Sequence, residues 1–196
     1  MAFVTFVIAS IGRATLERTV SSLKAQTDDD WNAVIFFDGV EVRELDDGRI
    51  KAYQGGPTHN CGLARNEAIP HVTGEWTAFV DDDDYLLDTY IERLRQYGKG
   101  FDVVQFTFWI VERGEMPHAL KPAPHIDKIT AGEMGVSFAV RTAFREQHGI
   151  LFTQGIYDDY RFLAECEQKG ARINITHDIQ YIVPKIGHQG VLVKRL

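Results

Sequence analysis

The sequence predicts an α/β fold with a mainly parallel central sheet, and three observations carry that prediction. Short apolar runs alternate with stretches of helical period, at the spacing of successive βα units. The runs are continuously apolar, as strands covered on both faces must be. Polar residues, among them Ser10, Asp38 and Asp81, stand at the carboxyl ends of such runs, where open parallel sheets bind their ligands.

Val4 to Ala9 is the first such run, broken by Ser10-Ile11-Gly12-Arg13. Leu16, Val20 and Leu23 then recur at i, i+4 and i+7, the single apolar face of a helix, and Thr27-Asp28-Asp29-Asp30 ends the pattern. Trp31 to Phe37 reads as a second buried strand closed by Asp38-Gly39, and Arg49 to Tyr53 as a short third. After Gly55-Gly56-Pro57 comes a helical stretch with Leu63, Ala64, Asn66 and Glu67, stopped before Pro70. Glu75 to Val80 is the fourth strand, and Leu87, Ile91 and Leu94 mark the next helix. Val103 to Val111 reads as a long strand. Glu112 to Lys128, carrying Pro117, Pro122 and Pro124, has no period and is expected to be a surface loop able to cover a substrate. Ser137 to Val140 suits a strand, Thr142 to His148 a short helix, and Asp158 to Lys169 a helix closed by Gly170. Residues 172 to 183 alternate well enough for two further strands.

A chain of 196 residues that is 44% apolar supports one well-buried domain. No run reaches the 18 or so apolar residues of a membrane span, and no basic segment precedes an apolar stretch and cleavage site at the N-terminus. The expectation is a soluble cytoplasmic protein. Cys61 and Cys166 lie far apart in no CxxC pattern, so neither a disulfide framework nor a zinc site is signalled. A formal charge of −7 argues against general nucleic-acid binding. An anionic ligand must be met by local cations.

The run Asp81-Asp82-Asp83-Asp84 follows the apolar segment Trp76 to Val80 where a strand should emerge. Two like charges 4 Å apart repel by about 1 kcal/mol in water and several-fold more at lower dielectric. Oxygen ligands alone favour a hard ion, Mg²⁺ or Mn²⁺, which characteristically shares its shell with substrate phosphates. A turn or a helix cap at Asp84 or Asp88 would explain one carboxylate but not four. The Gly and terminal Glu of a calcium EF-hand loop are missing.

Taken in order, the motifs resemble those of the GT-A glycosyltransferases, particularly the inverting family 2. Val4 to Arg13 is similar to that family's opening strand and turn, Ser21-Ser22-Leu23-Lys24-Ala25-Gln26-Thr27 to its "SLxxQT" helix end, and Asp38-Gly39 to the "DG" closing its second strand. Gly62-Leu63-Ala64-Arg65-Asn66 resembles "GxxxARN", and Thr73-Gly74-Glu75-Trp76 with Phe79 to Asp84 resembles "TGEY...FLDxDD". The match is good over residues 3 to about 95 and looser beyond.

The resemblance implies a Rossmann-like GT-A domain over residues 1–196, with a nucleotide-binding half (1–100) and an acceptor-binding half (101–196). Ala9 and Ser10 would offer backbone groups to a nucleotide. Asp38 would accept a base N–H, favouring a UDP-sugar, although thymine and guanine also present one; its plain alternative is a turn aspartate. Arg13 and Arg65 would meet the diphosphate or serve as ion-pair partners, and Asn66 would fix the ribose or a loop. Asp83 is the leading metal ligand. Asp81 would reach the ribose or the metal, Asp82 would act through its backbone or a water, and Asp84 would support the turn or helix start. Tyr157-Asp158-Asp159 resembles the late acidic pair of the family, with Asp159 the expected base and Asp158 beside it, unless both are helix-cap acids. His188 resembles a late histidine that completes a metal shell. The acceptor would be a hydroxyl of a glycan or glycoconjugate. The absence of a long C-terminal region and of a basic membrane-facing helix makes a lipid-linked acceptor less favoured. Compactness gives a similarity to small modules of large algal-virus glycosyltransferases, with the segment able to form part of a longer multidomain chain. Two other functions compete. A nucleotidyltransferase would need a Gly-rich, Arg- and Lys-bearing loop where only Gly12-Arg13 stands, and a silent nucleotide-binding module would use the pair 158–159 only as caps.

Overall fold

The computed structural model describes residues 1–112 and 119–185. Its first strand, β1 (Val4–Ser10), lies between β2 (Trp31–Asp38) and β4 (Trp76–Phe79), parallel to both, so that Val4 faces Trp31 on one side and Trp76 on the other. β3 (Ile50–Gly55) adds in parallel outside β2. A strand buried on both faces has no polar positions to spare, which is why Val4, Phe6, Val7 and Ile8 are all inaccessible.

Helices close these crossovers. α1 (Leu16–Lys24) buries Leu16, Thr19, Val20 and Leu23, the face its period prescribes. α2 (Cys61–Ala68) starts at Asn60, whose side chain accepts the Leu63 N–H at 3.0 Å, an N-cap worth about 1 kcal/mol. α3 (Tyr90–Tyr97) buries Tyr90, Ile91 and Leu94.

Beyond β4 the sheet continues through β8 (Phe138–Arg141), antiparallel to both β4 and β6 (Val103–Glu112), and then to β9 (Ile173–Lys185), parallel to β6. β5 (Tyr85–Leu86) closes the far edge against β9, giving the order β3-β2-β1-β4-β8-β6-β9-β5. The result is a mostly parallel, Rossmann-like sheet flanked by helices. α4 (Thr142–His148) ends at Gly149 in the left-handed region (φ 62°), and α5 (Asp158–Gln168) packs Phe162 and Leu163 on the sheet. Phe79, Phe138, Phe152 and Phe162 meet there, with the Phe79–Phe152 and Phe152–Phe162 centroids 4.9 and 4.7 Å apart. Each buried ring contributes about 1.5–3 kcal/mol.

Three expectations need correction. Residues 172–183 form one strand, not two: β9 absorbs the irregularity as shifts of register against β6 between Gln105 and Phe108. Within the expected loop 112–128, β7 (Ala119–Lys121) pairs with β6. Leu87 is not helical, because Tyr85–Leu86 is drawn into the sheet by β9 and α3 begins only at Tyr90. No helix among the described residues is long and apolar enough to cross a membrane.

Candidate active site

The carboxyl ends of β1, β2 and β4 place Ser10, Asp38 and Asp81 on one rim of the sheet. Asp82 is turned inward. Its carboxylate accepts the Ser10 hydroxyl at 2.7 Å and Arg13 Nη1 at 2.8 Å, and the Ser10 oxygen in turn accepts the Gly12 N–H at 3.0 Å. The Asp82 side chain therefore ties the turn after β1 to the turn after β4. Arg13 also reaches Asp83 Oδ2 at 3.3 Å. Burial disfavours the Arg13 charge, yet Asp82 and Asp83 outweigh it and hold the guanidinium protonated.

Carboxylate oxygens of Asp81, Asp83 and Asp84 lie within 4.8 Å of one another. An all-oxygen set of this kind fits a hard divalent ion such as Mg²⁺ or Mn²⁺. The helix-start role expected of Asp84 is not what the fold gives it, since α3 begins at Tyr90 behind Thr89. Asp84 is 5% exposed, and burial together with Asp81 and Asp83 pushes its carboxyl well above the usual range. The turn is fastened from outside as well: Thr19 Oγ1 donates to the Asp84 carbonyl at 2.6 Å, and Arg18 donates to the Asp83 carbonyl.

Tyr181, in β9, completes the turn. Its hydroxyl accepts the Asp81 N–H at 3.0 Å and stands beside the Asp84 carboxyl. Burial, Asp84 and Asp81 all push this phenol well above its ordinary value, so it keeps its proton. Sequence reasoning missed Tyr181, for nothing in an alternating segment marks one tyrosine. Thr19 did carry a signal, as a polar residue on an otherwise apolar helix face.

Arg65, on α2, is 2% exposed and joins the acidic turn to the late acidic pair. It donates to Asp81 Oδ1 and, at 3.3 Å, to Asp159 Oδ1, with Asp158 Oδ2 at 4.0 Å. Its guanidinium carbon stands 5.0 Å from the Phe152 ring centre. Burial opposes the charge, but Asp81 and Asp159 more than compensate and raise Arg65 well above its usual range. Arg65 is thus an ion-pair partner of three carboxylates, the second of the two roles its sequence allowed. Asn66 is committed to the loop before α5: its amide donates to the Phe152 carbonyl and accepts the Phe152 N–H, both at 2.9 Å.

Asp158 and Asp159 open α5 behind Tyr157, whose φ of 62° is unusual for a bulky residue. Asp158 Oδ1 accepts the Asp159 N–H at 3.2 Å, so Asp158 does stabilise the helix start. Asp159 instead points to Arg65. Gly62 leaves room for Asp158 beside α2, because a Cβ there would sit 2.9 Å from Asp158 Oδ2.

Asp38 is held by Thr58, through the N–H at 2.6 Å and the hydroxyl at 2.9 Å. Those bonds occupy two of its four lone-pair positions and leave acceptor capacity for a base N–H. Ala9 pairs with Phe36 in the ladder next to this point. His188 lies outside the described residues.

The crystal structure of S. aureus TarS superposes with a TM-score of 0.78 at 19% identity, covering 94% of this chain and 37% of that one. TarS 1–349 in complex with UDP-GlcNAc gives 0.76 at 20% identity, over 95% of this chain and 59% of that one, and its complex with UDP gives 0.75 at 19%, over 94% and 60%. This chain spans 37 to 60% of the length of these three chains. No curated protein matches it in sequence. The family model "Glycosyl transferase family 2" matches residues 5–161, which hold the acidic turn, Arg65 and the pair 158–159, and the chain belongs to that family.

Proposed function

We propose that this chain is a glycosyltransferase that moves a hexosyl or deoxyhexosyl group from a nucleoside-diphosphate sugar, a UDP-sugar before others, to a hydroxyl of a glycan or glycoconjugate. The observation that carries the reading is the Arg65 bridge, which holds Asp81 on one terminal nitrogen and Asp159 on the other at the sheet's carboxyl edge. The complexes of TarS with UDP-GlcNAc and UDP support a uridine nucleotide as donor.

The roles follow from position. Asp38 accepts the base N–H, the backbone at Ala9 and Ser10 meets the nucleoside, and Arg13, 42% exposed at its side chain, is the cation placed to reach a diphosphate. Asp81, Asp83 and Asp84 would hold Mn²⁺ or Mg²⁺, which supplies Lewis-acid stabilisation to the departing nucleoside diphosphate. Asp159 takes the acceptor hydroxyl proton as that oxygen bonds to the anomeric carbon. The bond from carbon to the diphosphate oxygen breaks on the opposite face, and the configuration inverts. Residues 1–100 serve the nucleotide and residues 101–196 the acceptor.

Thermal melting with UDP, GDP, CDP and dTDP, with and without Mn²⁺, tests the reading, since a ligand selective for the native state raises the melting temperature. UDP with Mn²⁺ should stabilise most, Asp83→Ala should remove the metal-dependent part, and Asp159→Asn should keep binding while losing turnover. A protein stabilised by no diphosphate would refute the proposal. Normal transfer by Asp159→Asn would remove Asp159 as the base.

A further inference from the structure

We propose that Tyr181 is a positioning residue of the cation site, orienting the Asp84 carboxylate and pinning the Asp81 backbone so that the acidic turn is preorganised for a divalent ion. The inference rests on the metal reading above. It adds a residue from the opposite half of the chain, about a hundred positions from the turn.

Tyr181 sits in β9, 1% exposed, between β6 and β5, paired with Phe108 on one side and Leu86 on the other. Leu86 belongs to the short strand that follows the acidic turn directly, so sheet pairing fixes the height of Tyr181 relative to Asp84. The ring is locked in the core and the hydroxyl emerges at the turn. One phenol oxygen then meets two groups of the turn: it accepts the Asp81 N–H at 3.0 Å and stands next to the Asp84 carboxyl. The Asp81 N–H takes one of the oxygen's two lone pairs and leaves the hydroxyl proton available to an ionised Asp84 carboxylate.

The chemistry of such a partner is well defined. A carboxylate can bind a cation through one lone pair and accept a hydroxyl through another, and the second contact removes rotational freedom the ion would otherwise have to freeze. Outer partners of this type are typically worth 10–100-fold in metal affinity. Ser10 and Arg13 play the matching part for Asp82, which is why Asp82 faces away from the cluster while Asp84 faces into it.

The test is a Mn²⁺ titration of the protein alone, without nucleotide, following the free aqua ion by electron paramagnetic resonance. Tyr181→Phe keeps the ring and removes only the hydroxyl. Its dissociation constant for Mn²⁺ should rise about 10–100-fold. In an Asp84→Asn background the same change should add almost nothing, because the two residues act as one unit. A Tyr181→Phe protein that binds Mn²⁺ like the unmodified one overturns the inference, as does an equal loss in both backgrounds, which marks a merely structural role. An unmodified protein that binds no Mn²⁺ overturns the metal reading itself. Should Tyr181→Phe not fold, hydrogen exchange at the Asp81 amide of the unmodified protein decides. Added Mn²⁺ should slow exchange there, and unchanged exchange overturns the proposal.

Discussion

Replacing Arg65 by Met removes one positive charge and keeps most of the side chain's apolar volume against Phe152. Three carboxylates lose their shared partner: Asp81, Asp159 at 3.3 Å and Asp158 at 4.0 Å. Breaking a buried pair from one side costs about 3–5 kcal/mol, because the remaining charge is left uncompensated. Here the carboxylate side chains are 16–35% exposed and water can reach them, so the lower end, about 3 kcal/mol, applies. For a chain of this size each kcal/mol moves the melting temperature by about 2–4 °C, so Arg65→Met should melt roughly 6–12 °C lower. Differential scanning calorimetry of the metal-free protein reads this directly. Arg65→Lys should fall between the two, since a single ammonium cannot span both Asp81 and Asp159 as the planar fork does. A drop of under about 2 °C in Arg65→Met would mean that the guanidinium does not hold the carboxylates together, and the reasoning would fail.

Three further outcomes are expected. Gly62→Ala places a methyl 2.9 Å from Asp158 Oδ2 and 3.0 Å from the Phe152 Cβ, and this overpacking should cost about 1–3 kcal/mol, more than the helix gains from alanine; a higher melting temperature would contradict it. Asp47 is held at about 2 by its bond from Arg49, below the usual 3.8, so its contribution is complete above pH 4 and disappears as the pH falls through 2. Because this pair is solvent-screened, Asp47→Asn should remove at most about 1 kcal/mol at neutral pH, read as a shallower acid limb in urea titrations between pH 5 and 2. Burial pushes the Cys166 thiol up to about 12, whereas Cys61 is raised less far and is exposed, so iodoacetamide at pH 8 should label Cys61 slowly and Cys166 only after unfolding, as peptide mass spectrometry would show.

Much of the framework was legible because burial on two faces leaves an unmistakable residue pattern. Val4 to Ala9 and Trp31 to Phe37 could hardly have been anything but inner strands, and the polar residues after them marked the carboxyl rim of the sheet. The pairings of two- and three-residue strands were not legible, because Tyr85–Leu86 and Ala119–Lys121 owe their conformation to partners far along the chain. The division of labour within the aspartate run was hidden for a related reason. Side-chain direction alternates only while a strand lasts, and β4 ends at Phe79, so the facing of Asp82 is decided by Ser10 and Arg13, and the backbone at Asp81 is held by Tyr181. Asn66 could be placed near the site, but its bond to Phe152 depends on a loop 86 positions away.

The crowding of acids on this rim has a consequence for the order of events. Among the described residues, Asp81, Asp82, Asp83, Asp84, Asp158 and Asp159 face three cations, Arg13, Arg18 and Arg65. A bare nucleoside diphosphate, several times negative, approaches a surface of its own sign. Carrying a divalent ion, the same molecule arrives close to neutral and brings the charge the rim lacks. On the proposed function, affinity for the donor would follow the supply of free metal, with the aspartate run admitting the chelate before the naked nucleotide.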